Sequence, residues 1–171
     1  MAVCLVNLRP VAFVTAVFTV VCFVSSGLTV FAQPDVSASC AALMVAETGE
    51  LIYGKNEHDR RSMASTTKIM TSLLAIEALT PQRKITVSAD MLNVEGTSMG
   101  LLPGDTVTLE GLVYGMLLQS GNDAANVTAI TLGGNVENFV SMMNKRAGEI
   151  GMNDTHFETP SGLDSKEHYP T

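Results

Sequence analysis

Ser65-Thr66-Thr67-Lys68 is the first arrangement in this 171-residue sequence whose residue types and spacing suit a reaction. A serine and a lysine three residues later share one face of a helix, with Cβ atoms about 5–6 Å apart. A serine hydroxyl is a weak nucleophile until a neighbouring base takes its proton. Lysine serves as that base if its pKa falls, and burial beside the positive end of a helix pushes it down. The same helix end favours the oxyanion formed after attack. The spacing alone is weak evidence, since at ordinary residue frequencies Ser-x-x-Lys arises about once in a few hundred residues. An N-cap serine followed by a solvated lysine is the plain alternative, and this motif by itself leaves it open.

Ser120-Gly121-Asn122 is the second arrangement. It falls between two predicted helices, where a hydroxyl and an amide project into a cleft. Ser120 would relay a proton between Lys68 and a leaving amine, and Asn122 would hold a substrate amide. Ser, Gly and Asn are also ordinary turn residues, so a bare helix-to-helix turn is the competing reading.

The elements that must position these residues follow from periodicity and punctuation. Two short apolar runs, Ala41 to Val45 and Leu51 to Tyr53, flank Glu47-Thr48-Gly49-Glu50 and predict a β-hairpin. Lys55 to Arg61 is polar and reads as exposed loop. From Thr66 to Leu79 the apolar positions Ile69, Met70, Leu73, Leu74, Ile76 and Leu79 wrap more than half a helix, which predicts a buried one. Ser65 stands in N-cap position and Pro81 lies just beyond the end. Val94 to Asp105 reads as loop. Thr108 is the expected cap of a helix over Leu109 to Gln119, with Gly111 where a capping box would have Glu or Gln. Another helix should start near Asp123 and stop at Gly133-Gly134. A third is capped by Asn135, lined by Val136, Phe139, Val140, Met143 and Ile150, and ended by Gly151. The remaining tail has no strand pattern.

Ser-x-x-Lys followed by a Ser-x-Asn-type element is the order found in penicillin-binding proteins and class A β-lactamases. Over about Ala41 to Tyr169 the sequence resembles the low-molecular-mass D-Ala-D-Ala carboxypeptidases of bacterial cell-wall metabolism. The likeness rests on Met63-Ala64-Ser65-Thr66-Thr67-Lys68-Ile69-Met70-Thr71 and on Gly96-Thr97-Ser98-Met99 with Leu102-Pro103-Gly104-Asp105. It continues through Leu117-Leu118-Gln119-Ser120-Gly121-Asn122-Asp123-Ala124-Ala125 and Pro160-Ser161-Gly162-Leu163-Asp164 with His168-Tyr169. The resemblance implies an α+β fold of the serine penicillin-recognising (β-lactamase/transpeptidase-like) class, in which a helical cluster packs on an antiparallel sheet. It implies Ser65 as the acylated nucleophile, Lys68 as its base, Ser120 as proton relay and Asn122 as a substrate-binding residue. The implied substrate is a peptidoglycan peptide ending in D-Ala-D-Ala, the implied inhibitors are β-lactam antibiotics, and no metal or organic cofactor is implied.

The family's third motif, Lys-Thr-Gly or a near variant, does not occur in the 171 residues. The resemblance therefore implies a chain cut off before the later strands, the C-terminal domain and the membrane-binding helix, with membrane association resting on those parts. The expectation is a fragment that neither folds stably nor turns over substrate. A class A β-lactamase would need a positioned deacylating glutamate, and neither Glu149 nor Glu158 stands in that family's context. A non-catalytic, peptidoglycan-binding fragment is the rival from another class. His156 and His168 lack metal-site spacing and read as structural or solvated.

The N-terminus is a separate matter. One positive charge, Arg9, precedes an uncharged stretch that runs to Asp35, with an apolar centre from Val11 to Val24 and small residues at Ser25-Ser26-Gly27 and Ala32. This order predicts a secretory signal over residues 1–32, leaving 33–171 as a partial catalytic domain in the exported cell-envelope space. The uncharged stretch is also long enough to span a bilayer of ~30 Å, and the break in the apolar run favours the cleaved signal. Without Arg9 the chain has nine basic and seventeen acidic residues, a formal −8. That balance argues against nucleic acid, which is bound through clustered Lys and Arg. Cys4 and Cys22 lie in the leader, so Cys40 is left with no intramolecular partner and reads as a small buried core residue.

Overall fold

A computed structural model describes residues 36–163. The leader read over 1–32 and the end of the last matched segment, with Asp164, His168 and Tyr169, lie outside these residues. Every element below belongs to the unit Ser39–Thr171. Strands β1 (Ala41–Met44) and β2 (Leu51–Lys55) are followed by a 3-10 turn over Ala64–Thr66 that runs into α1 (Thr67–Glu77). Strands β3 (Lys84–Thr86) and β4 (Thr106–Thr108) come next, then α2 (Leu109–Gln119), α3 (Asn122–Gly133) and α4 (Val136–Glu149). The architecture is α+β, with helices gathered beside short antiparallel sheets. Among the described residues no helix is long and apolar enough to cross a membrane.

The hairpin forms as expected. β1 and β2 pair antiparallel with Leu43 opposite Tyr53, and Gly49 takes the positive φ of 72° that the connection needs. β2 continues two residues past the predicted Tyr53. The second pair was not predicted. β3 and β4 are three residues each and pair antiparallel with Ile85 opposite Val107. Runs that short give no readable alternation.

Two of the expected helix caps form. Thr108 Oγ1 accepts from Gly111 N at 3.0 Å, and Asn135 Oδ1 accepts from Asn138 N at 2.7 Å. Each satisfies a backbone donor that a helix start leaves without a partner.

Helix α3 is the centre of the packing. Its first eight residues, Asn122 to Ala129, are all buried. Ala124, Ala125 and Val127 face one core with Leu109, Leu112, Met116 and Ile85. Ala129 faces a second with Phe139, Met143 and Phe157. Small side chains allow neighbouring helices to approach on both sides, and Thr128 Oγ1 satisfies its own hydroxyl by donating to Ala124 O at 2.8 Å.

Helix α1 departs from its expected burial. Ile69 and Ile76 are 63% and 60% exposed, whereas Thr67, Lys68, Thr71 and Ser72 are buried. The polar side of this helix faces the protein where the main-chain oxygens of Pro160 and Ser161 accept from Thr71 and Lys68. Cys40 is also corrected: it is partly exposed rather than a core residue.

Candidate active site

Ser65 is not the N-cap of a regular helix, as its position in the sequence suggested. It sits within the 3-10 turn, and Thr66 precedes α1 without a side-chain cap, its hydroxyl donating instead to Met63 O at 2.6 Å. Ala64, immediately before Ser65, has φ +45°. The tighter turn presents the Ser65 hydroxyl outward while Lys68 enters the protein.

Three of the four predicted site residues meet. Lys68 Nζ lies 3.3 Å from Ser65 Oγ, and Ser120 Oγ lies 2.7 Å from the same oxygen on its other side. Ser65 Oγ is thus the middle of a Lys68–Ser65–Ser120 line. A relay between Ser120 and Lys68, as the sequence suggested, would therefore pass the Ser65 oxygen.

Lys68 is 1% exposed, and among the described residues no carboxylate pairs with it. Its second contact is neutral: Nζ donates to Ser161 O at 2.7 Å. Burial pushes the Lys68 pKa below its ordinary value of 10.5. A neutral amine here keeps one N–H for Ser161 O and a lone pair for the Ser65 proton.

The segment that supplies Ser161 O is fastened from both ends. Thr71 Oγ1 donates to Pro160 O at 2.7 Å. Upstream, the Asn144 side chain brackets Phe157, accepting from its N–H and donating to its carbonyl, both at 2.8 Å. Gly162, at φ +81°, lies so close to the Ala64 carbonyl that a Cβ would collide with it and with Thr67 Oγ1. Only glycine fits.

Ser120 caps the C-terminal end of α2 in the left-handed conformation, φ 56° and ψ 32°. For a non-glycine residue this costs about 1–3 kcal/mol and persists only where the surroundings enforce it. Ala64 and Ser120, two residues with positive φ, thus border the same oxygen.

Asn122 sits differently. It is 4% exposed, its N–H donates to Thr97 O and its Nδ2 to Glu95 O, each at 2.7 Å. Its amide nitrogen is engaged by the protein, which leaves Oδ1 as the side-chain group for an incoming N–H.

Sequence reasoning missed Asp123. Its carboxylate accepts from Ser98 Oγ and from the N–H groups of Met99, Gly100, Leu101 and Ala124. Burial alone raises its pKa, but the bonds from Ser98, Met99, Leu101 and Ala124 outweigh that and hold it below the ordinary 3.8. An acidic residue in the first turn of a helix reads as a dipole partner, and only the donor-rich Ser98-Met99-Gly100 loop hints at more.

The arrangement is suited to acyl transfer from a serine oxygen, with a buried amine as base and a second hydroxyl beside it. Over residues 28–171 the chain matches the model of the family described as D-alanyl-D-alanine carboxypeptidase. It is 38% identical over 137 residues to D-alanyl-D-alanine carboxypeptidase DacF of Bacillus subtilis, a match covering 77% of this chain and 35% of that protein. Among solved structures, D-alanyl-D-alanine carboxypeptidase DacD from Francisella tularensis superposes with a TM-score of 0.77 at 37% identity, covering 82% of this chain and 35% of that one. D-alanyl-D-alanine carboxypeptidase from Mycobacterium tuberculosis gives 0.75 at 31% identity, covering 80% and 52%. The chain therefore spans about a third of the length of the Bacillus relative.

Proposed function

This chain belongs to the D-alanyl-D-alanine carboxypeptidase family, and from that membership we propose that it carries the nucleophile, base and proton relay of a serine hydrolase acting on cell-wall peptides. In this reading Ser65 Oγ attacks the carbonyl carbon of the penultimate D-alanine, and its proton passes to Lys68 Nζ. The tetrahedral adduct collapses, the C–N bond breaks, and terminal D-alanine leaves with a proton delivered through Ser120 from the Lys68 ammonium. Water then hydrolyses the Ser65 ester, with Lys68 again taking a proton. Asn122 Oδ1 accepts from the substrate amide. β-Lactams acylate the same oxygen.

The observation that carries this reading is the Ser65 hydroxyl held between Lys68 Nζ and Ser120 Oγ, with the lysine buried and no carboxylate among the described residues paired with it. A solvated lysine after an N-cap serine, the bland alternative, is not compatible with 1% exposure. The reaction belongs outside the cytoplasm, so residues 1–32 act as an export signal in front of the catalytic segment 33–171.

Release of D-alanine from a pentapeptide tests the reaction, using the protein as its organism makes it. Release should occur and should disappear in Ser65→Ala; a folded wild-type protein that neither releases D-alanine nor reacts with penicillin contradicts the reading. N-terminal sequencing of the exported product should begin at Gln33, and a retained leader contradicts the signal.

A further inference from the structure

We propose that Asp123 is a positioning residue for Ser120, acting through Met99; the proposal rests on the acyl-transfer reading above. Asp123 is 4% exposed and hydrogen-bonds to none of the three residues on the Lys68–Ser65–Ser120 line, although its Oδ1 stands 2.8 Å from where a Cβ on Gly121 would be. Its carboxylate gathers one loop instead. Oδ1 accepts from Met99 N at 2.9 Å and Ala124 N at 2.8 Å, while Oδ2 accepts from Ser98 Oγ at 2.6 Å and from Gly100 N and Leu101 N at 3.1 Å. Charge-assisted bonds of this kind are roughly twice as strong as neutral ones, and here they converge on one side chain.

The residue so pinned, Met99, is wedged against the turn that holds Ser120. Its side chain lies where a Cβ on Gly115 would be, and its N and Cβ stand 3.1 and 3.3 Å from where a Cβ on Gly121 would be. Gly121 N donates to Gly115 O at 3.1 Å and closes the turn around Ser120. Met99 therefore presses on both ends of the hydrogen bond that encloses Ser120. That serine keeps a left-handed backbone and places Oγ 2.7 Å from Ser65 Oγ. A residue in that conformation relies on its neighbours to stay there, and Asp123 supplies the constraint, against Gly121 by its own Oδ1 and through Met99 against both Gly115 and Gly121.

Acylation by a penicillin, measured in the protein as its organism makes it, tests the proposal in a double-mutant cycle with Ser120→Ala. Asp123→Asn keeps the size of the side chain but turns an NH₂ toward backbone donors. It should slow acylation about 10- to 100-fold in the wild-type background, the scale expected of misplaced groups. In the Ser120→Ala background it should change the rate by less than about twofold, because the group it positions is gone. Met99→Ala leaves the carboxylate and its donors intact and should behave the same way, so the test does not depend on one variant folding. Losses that multiply with Ser120→Ala would mean general loosening and overturn the proposal, as would wild-type rates in both variants. A wild-type protein that is not acylated at all refutes the acyl-transfer reading itself, a separate outcome.

Discussion

Lys68 Nζ donates a 2.7 Å hydrogen bond to the main-chain oxygen of Ser161, 93 positions further along the chain. That bond explains how a lysine can lie buried on the polar side of α1 with no carboxylate partner among the described residues. A carbonyl accepts from the neutral amine as well as from the ammonium, so it orients Nζ toward Ser65 without committing it to a charge.

If Lys68 is the base, acylation requires its neutral form. Burial holds the folded pKa below 10.5, so the rate should rise with pH through that lowered value and level off before 10.5. The same shift governs stability. Between the lowered pKa and 10.5 the unfolded chain binds the extra proton, so stability rises with pH across that window. Lys68→Met should remove that rise. Lys68→Arg keeps the charge but stays protonated, and should slow acylation by about 10²- to 10⁴-fold. An arginine variant that acylates at the wild-type rate would show Lys68 to be structural only.

The approach of Gly162 to Ala64 gives a second expectation. A side chain here meets the Ala64 carbonyl and Thr67 Oγ1, and φ +81° is unfavourable for any L-residue. Gly162→Ala should destabilise the fold by at least about 1–2 kcal/mol from the backbone conformation alone. It should also move Ser161 O off Lys68 and slow acylation. Thermal unfolding and penicillin kinetics check both effects, and an alanine variant with wild-type values in each would show the loop to be free to give way.

How far the sequence revealed this site depends on the range of each interaction. Ser65, Lys68 and Ser120 were legible because their chemistry comes in short fixed spacings, and Thr108 and Asn135 because caps are local. The inward polar side of α1 was not legible. Thr71 and Lys68 are buried against carbonyls of Pro160 and Ser161, 89 and 93 residues away, and no local pattern announces such partners. Asp123 was hidden for the same reason, its donors lying 22 to 25 residues earlier apart from Ala124. The central place of α3 was masked by its small and polar side chains, which lower the apparent hydrophobicity of the most buried helix.

Exposed apolar faces lead to a further prediction. Leu43, Met44, Leu51 and Ile52 on the hairpin are 43–62% exposed, and Ile69 and Ile76 on α1 are 63% and 60% exposed. A two-stranded hairpin is marginal in water on its own, and an open edge invites association. Residues 33–171 expressed alone should bind a hydrophobic dye, self-associate and melt without cooperativity. A sharp, concentration-independent melt with no dye binding would show that the described helices suffice.

We propose that the Ser65 oxygen, held between Lys68 and Ser120, is the nucleophile. Mass spectrometry of a peptic digest after penicillin treatment, on the protein as its organism makes it, tests this most directly. The expected result is one equivalent of adduct on the peptide containing Ser65, and none in Ser65→Ala. Undiminished labelling of the Ser65→Ala protein, or an adduct on any other residue, would exclude Ser65 as the nucleophile.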